Sequence, residues 1–302
     1  MNEPCLDYHF NTMKPYSGTR KAIDLSNAYL DPDKLFTAHK NRVVADGGTI
    51  LNEASCKNEI AFIINLGLWD NMASVASPEW GIKQDGSGNI LKMYGLGNTP
   101  DYTATQFGTA LHPVTLDTTR EIPLAIIKMD GGGSQLVSGA VVLQGHASLP
   151  YAVSVRGIDY DITDNQGIAA RFNGPSWPHF YYWCINRQAQ KFKWFYSCDQ
   201  FNPPTGAGGA SASKVWDGTI GRSAALVSPI EGKLRAYDSG AFSSESSSLP
   251  PPNISGITGT ITLGTRYANE QTIAGAAYGG IGRVRVFSIC NDAAASQISA
   301  RA

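Results

Sequence analysis

Five kinds of hydrophobic pattern follow one another along the chain. Residues 1–40 are polar, rich in Asn, Asp, Tyr and Pro, and show no sustained period; an extended arm is predicted there. The short apolar stretch NRVVADGGTI is then stopped at Asp46-Gly47-Gly48, where glycines permit a tight turn. From Ser55, SCKNEIAFIINLGLWDNM places Ile60, Ile63, Ile64 and Leu68 on one helical face, with Ser55 in the capping position and Glu59 in the first turns. Next, WGIKQDGSGNILKMYGL reads as a hairpin around the turn-forming cluster Asp85 to Asn89.

Beyond residue 100 the pattern changes to short strand-like runs broken by Gly, Pro, Asn and Ser. They are IPLAIIKMD, QLVSGAVVLQG, YAVSVRGIDYDI, IAARFN, HFYYWCIN, KFKWFYS, IGRSAALVS, GKLRAYDS, GTITLGTRY and IGRVRVFSI. So many short strands predict a mainly β fold of two packed antiparallel sheets. The Ser-rich AFSSESSSLPPPN reads as a loop, because consecutive prolines cannot serve a central ladder.

The most aromatic run is HFYYWCINRQAQKFKWFYSC, residues 179–198. A turn centred on Arg187 and Gln188 would set Trp183 opposite Phe192, Tyr181 opposite Trp194 and Ile185 opposite Gln190. One face then collects Tyr181, Trp183, Ile185, Phe192, Trp194 and Tyr196 and belongs to the core. The other carries Phe180, Tyr182, Cys184, Lys191, Lys193 and Phe195, and its lysines require solvent, a partner or a ligand. In that register Cys184 opposes Lys191, far from Cys198, which excludes a disulfide between the two.

Composition narrows the function classes. The 302 residues are 42% hydrophobic, ample for a buried core, while 24 basic and 25 acidic residues nearly cancel. No basic cluster stands out, so nucleic acid and anionic membrane are poor candidate partners. No run approaches the roughly 18 apolar residues of a membrane span, and the amino terminus lacks the apolar run of a signal peptide, so synthesis and folding in a cytoplasm are expected. Five widely spaced cysteines without a C-x-x-C motif read as free thiols.

Candidate chemistry is sparse. In GIDYDITDN, alternation sets Asp159 and Asp161 on one strand face with Asp164 nearby. These carboxylates fit three readings: a glycosidase pair, a calcium site, or a solvated outer face. The five histidines never fall at metal-ligand spacing, and no H-E-x-x-H, G-x-S-x-G or P-loop occurs. DGGGS at Asp130 to Ser134 reads as a loose hairpin between two strands rather than an anion-binding loop. Sugar recognition by a sandwich relies on aromatic faces, and Trp80, Trp177, Phe180, Tyr182, Phe195 and Trp216 are candidates, each competing with an ordinary core role.

Two resemblances extend this picture. KLRAYDSG, with Tyr237, Asp238 and Gly240, followed by ITLGTRY and AYGGIGRVRVFSICNDAAASQI, resembles the closing strands of concanavalin A-like, laminin-G-type jelly rolls over roughly residues 145–298. The acidic pair usual in the family's last strand is replaced by Gly282 and Arg283, which weakens a calcium inference. Upstream, Val44, Ala45, Asp46, Gly47, Gly48 and Thr49, then Lys92, Tyr94, Leu96 and Asp101-Tyr102, are similar to a module of bacteriophage virion proteins that precedes a lectin-like β-domain.

The chain is expected in three parts: an arm over 1–40, which the resemblances do not cover and which would serve particle anchoring or subunit contact, a helix-and-hairpin module over 41–100, and a jelly-roll sandwich over 101–302. The resemblances imply a tail, spike or capsid-surface protein of a virion, assembled in the host cytoplasm and expected to be trimeric. Its arm would contact other virion proteins, and its sandwich would adhere to a host-surface polysaccharide without cleaving it. The glycan contacts would be Phe180, Tyr182, Phe195, Lys191, Lys193 and Trp177. No cofactor is expected, although calcium at Asp159, Asp161 and Asp164 is possible. Two alternatives stay open: a polysaccharide depolymerase using Asp159 and Asp161 with Glu231 or Glu121, and a purely structural capsid or tail protein.

Overall fold

The computed structural model describes residues 30–129, 132–143, 150–159, 169–173, 181–188, 191–198, 208–215, 221–228, 231–246, 257–264, 267–269, 272–274 and 277–301. Two helices lead, α1 (Pro32–Ala45) and α2 (Glu53–Asn65), followed by β1 (Met72–Ala76), β2 (Ile82–Gln84), β3 (Ile90–Met93), β4 (Tyr102–Gly108), β5 (Thr115–Asp117) and β6 (Leu124–Met129). Then come β7 (Gly132–Ser138), β8 (Val141–Leu143), β9 (Tyr151–Asp159), β10 (Ala169–Asn173), β11 (Tyr181–Gln188), β12 (Lys191–Cys198), β13 (Gly208–Val215) and β14 (Gly221–Ser228). The chain closes with β15 (Lys233–Asp238), β16 (Ala241–Ser246), β17 (Ile257–Gly264), β18 (Tyr267–Asn269), β19 (Thr272–Ala274), β20 (Ala277–Phe287) and α3 (Asp292–Ala300).

The expected two-sheet antiparallel sandwich is present. One sheet of eight strands runs β16-β15-β14-β9-β20-β6-β5, with β1 also on β20; the other, of seven, runs β10-β17-β7-β4-β3-β2, with β8 on β17. Strand alternation sends Val153, Val155, Ala225, Val227, Val284 and Val286 inward from the larger sheet, against Met93, Tyr102, Leu136, Ile261 and Leu263. Each fully buried aliphatic side chain there contributes about 1.5–3 kcal/mol relative to exposure.

The opposite face of the larger sheet is covered by the helices. Ala152, Ala224, Leu226, Tyr237 and Phe287 pack beneath Phe36 of α1, Cys56, Ile60 and Ile63 of α2, and Ala294, Ala295 and Ile298 of α3. The molecule is therefore three-layered along this sheet, helices on sheet on sheet.

Several local expectations are corrected. Helix α1 starts at Pro32, inside the stretch expected to be an extended arm. Its sequence signals are the Asp31 cap, whose carboxylate accepts from the Asp33 and Lys34 amides, Pro at the first helical turn, and the buried stripe Phe36, His39, Val43. Helix α2 is capped by Asn52, which accepts from the Ser55 amide at 3.0 Å, so Ser55 lies inside the helix. Gly132 to Ser134 of DGGGS are the first residues of β7, and β7 lies in a different sheet from β6, so these two strands do not pair as the expected hairpin. The first part of the expected Ser-rich loop is strand β16, which returns from β15 through a two-residue turn with positive φ at Ser239 (50°) and Gly240 (92°). The β2–β3 hairpin around Asp85 to Asn89 is as expected.

Candidate functional site

The aromatic hairpin is β11–β12. Its pairing sets Tyr181 opposite Cys198, Trp183 opposite Tyr196, Cys184 opposite Phe195, Ile185 opposite Trp194, Asn186 opposite Lys193 and Gln188 opposite Lys191. The pairing therefore runs on to Gln188 and Lys191, a register shifted by an even number of residues from the one expected. A register change by an even number of residues keeps every residue on its face, so Tyr182, Phe195, Lys191 and Lys193 still share one side of the sheet. Cys184 and Cys198 are not cross-strand partners of each other and fall on opposite sides of the sheet. With β13 this hairpin forms a three-stranded sheet of its own.

Of the other expected contacts, Phe180, Trp177, Asp161, Asp164 and Trp216 lie outside the described residues, as do the side chains of Asp159, Tyr182, Lys191, Lys193 and Phe195. Trp80 is a correction: it is wholly buried and cannot stack on a sugar. Instead its ring lies under the guanidiniums of Arg283 and Arg285, at 5.5 and 5.8 Å, and its indole N–H donates to Ser55 Oγ at 3.1 Å.

Around Trp80 the structure assembles a charged layer that the sequence does not advertise. Arg285 Nε and Nη2 donate to the two carboxylate oxygens of Glu59 at 2.6 and 3.0 Å, with both side chains 1% exposed. Arg301 reaches the same carboxylate at 3.4 Å. Arg283 pairs with Glu79 at 2.7 Å and donates to Ser55 Oγ at 3.2 Å, while Ser55 in turn donates to Glu79. Burial alone would push the Glu59 carboxyl up, but Arg285, Arg283 and Arg301 outweigh it and hold the group below its ordinary value. Among the described residues this layer bonds the helices to the sheet. Burial also pushes the thiols of Cys56 and Cys290 up to about 12, which makes them poor nucleophiles.

The two halves of the motif that runs from Val44 to Thr49 and from Lys92 to Tyr102, far apart in sequence, meet in one clamp. Asp46, at the end of α1, accepts from Lys92 at 2.7 Å, Tyr94 at 2.8 Å and Lys83 at 3.3 Å, and these partners hold its carboxyl well below the usual range. Arg42 pairs with Asp101 at 2.8 Å and donates to the Gly95 carbonyl. Gly48 is required by this closeness, since a Cβ there would lie 2.5 Å from the Tyr94 ring and 2.9 Å from the Ile82 carbonyl. His39 donates from Nε2 to the Trp80 carbonyl at 2.8 Å and accepts from Arg42 at 3.4 Å on Nδ1; burial first, then Arg42, lowers its pKa, outweighing the hydrogen bond to Trp80.

The glutamates weighed for catalysis both have arginine partners: Glu121 pairs with Arg156, and Glu231 with Arg235 at 2.6 Å. Among the described residues no group of three or more His, Cys, Asp and Glu could hold a metal ion, and no helix is long and apolar enough to cross a membrane.

No protein-family model and no curated protein matches the chain by sequence. The fold does have solved counterparts. The receptor binding domain of botulinum neurotoxin mosaic serotype C/D aligns with a TM-score of 0.50 at 10% identity, over 77% of this chain and 50% of that one. The botulinum neurotoxin serotype D binding domain aligns at 0.49 and 14% identity, over 78% and 51%. At such identities the likeness is one of fold, and the chain spans about half the length of the solved chains it matches.

Proposed function

We propose that this chain is a lectin-like adhesion module of a bacteriophage particle, displayed on the tail, spike or capsid surface, which binds a host-surface glycan without cleaving it. The observation that carries this reading is the sandwich itself, whose fold is shared with a domain described as receptor-binding. The β11–β12 register supports it further, because Tyr182, Phe195, Lys191 and Lys193 keep a common face in a sheet separate from the two main ones. The arginine partners of Glu121 and Glu231 favour adhesion over hydrolysis. Attachment to neighbouring virion proteins through the N-terminal segment, and threefold assembly, belong to the same proposal and follow from the resemblance of the clamp around Asp46.

The test is binding of the purified chain to polysaccharides extracted from candidate host surfaces. Saturable binding that weakens at least tenfold in a Tyr182→Ala, Phe195→Ala variant with unchanged melting temperature supports the platform. Saturable binding untouched by that variant moves the site elsewhere, and absence of binding to every host polysaccharide overturns the proposal.

A further inference from the structure

On the helix-covered side of the larger sheet, three arginines stand in one cross-strand row. Arg222 of β14 is paired with Arg156 of β9, and Arg156 with Arg283 of β20. Residues at directly opposed positions share a face with their Cβ atoms about 4.5–5.5 Å apart, and like charges so placed repel. The row is incompletely neutralised. Arg283 has Glu79 at 2.7 Å, whereas Arg156, itself buried, has among the described residues only Glu121, whose side chain is 54% exposed. Arg222 is half-buried and makes no side-chain hydrogen bond or ion pair among the described residues. The Nε groups of Arg156 and Arg283 are buried donors without a partner. Burial and the neighbouring charges of Arg283 and Arg222 lower the Arg156 pKa while Glu121 raises it; a guanidinium nonetheless stays charged.

Three cations, two carboxylates and two unused buried donors call for a further anion. We propose that Arg222 and Arg156, backed by Arg283, form a binding site for the oxyanion of an acidic glycan, a carboxylate or a sulfate ester. This rests on the adhesion reading for the identity of the ligand. The planar guanidinium fork matches either group with paired charge-assisted hydrogen bonds, and Arg222, the most exposed of the three, is where the ligand would enter. Glu121 then competes with the ligand for Arg156.

The competition gives the test two substitutions of opposite sign. Titration calorimetry would compare a hyaluronan tetrasaccharide (carboxylate), a chondroitin 4-sulfate tetrasaccharide (carboxylate and sulfate) and neutral chitotetraose, with sodium sulfate against sodium chloride at matched ionic strength as a probe of the anion alone. Binding of a charged tetrasaccharide that falls about tenfold in Arg222→Gln, the scale of one charge-assisted contact, and rises in Glu121→Gln supports the site. Stronger binding of the sulfated probe than of hyaluronan would assign the sulfate ester, and the reverse the carboxylate. Arg222→Gln should leave the melting temperature without ligand unchanged or raised, because it removes a like-charge contact, so lost binding cannot be ascribed to misfolding. Equal binding by parent and both variants, or chitotetraose binding as tightly as the charged sugars, overturns the site. The failures are separable: a neutral host glycan bound independently of Arg222 leaves adhesion standing without the anion site. Sulfate stabilisation dependent on Arg222, with no host polysaccharide bound, leaves the anion site standing without adhesion.

Discussion

The two faces of the eight-stranded sheet are held by different forces. Toward the second sheet, β9 and β20 present Val153, Val155, Val284 and Val286, and cohesion is apolar packing. Toward the helices, the same strands present Ser154, Arg156, Arg283 and Arg285, all buried, and an apolar cluster is stitched through with ion pairs to Glu59 and Glu79. Apolar packing tolerates many partners of similar volume. A buried bidentate pair accepts one arrangement, which suits a layer that must hold α1, α2 and α3 in a fixed position over the sheet, though it adds little net stability over a well-packed apolar contact.

The sharpest way to break that contrast is to remove one member of the pair. Arg285→Met removes the bidentate partner of Glu59 and leaves its buried carboxylate to the longer contact with Arg301; it should cost about 3–5 kcal/mol in denaturant unfolding, whereas the double change Arg285→Met, Glu59→Leu should recover most of it. Equal losses in single and double variants would mean that packing, not charge, holds this layer. Acid probes the same pair. The folded Glu59 carboxyl titrates below its unfolded value, so its contribution is present above about pH 4.3, the ordinary glutamate value, and is lost as the pH falls through the lower folded value.

On the apolar face, Leu263→Ala should cost about 2–5 kcal/mol through transfer and cavity terms, with no dependence on pH beyond that of the parent. A smaller effect, about 1 kcal/mol, is expected of Asn52→Ala, which removes the cap of α2. The smallest concerns His39. Because its folded pKa lies below the unfolded value, its contribution is full above about pH 6.5 and declines as the pH falls toward the folded value. Thermal melts should therefore show a loss between pH 7 and pH 5.5 that is reduced in His39→Gln.

The same contrast explains what could be read from the chain. Period-two alternation in GRVRVF separates Val284 and Val286 from Arg283 and Arg285, and it correctly sorts the faces. It cannot say whether the second face meets water or a helix, and arginine is normally exposed. That is why the charged layer, with Arg156, Arg222, Glu59 and Glu79, was invisible and why Trp80 read as a candidate sugar contact. Helix α2 was legible from Ile60 and Ile63, which both face the sheet, while α1 was not, because one position of its thin buried stripe is His39. The faces of β11 and β12 around Trp183 and Phe195 have the expected grouping despite a different register, because the shift is even. The candidate contacts Phe180 and Trp177, and the carboxylates Asp161 and Asp164, lie outside the described residues.

Adhesion without cleavage can be measured by incubating the chain with host-surface polysaccharide while following both bound protein and polymer size by light scattering. Saturable binding with the polymer mass unchanged over hours is expected. A progressive fall in polymer mass that requires active protein would contradict it.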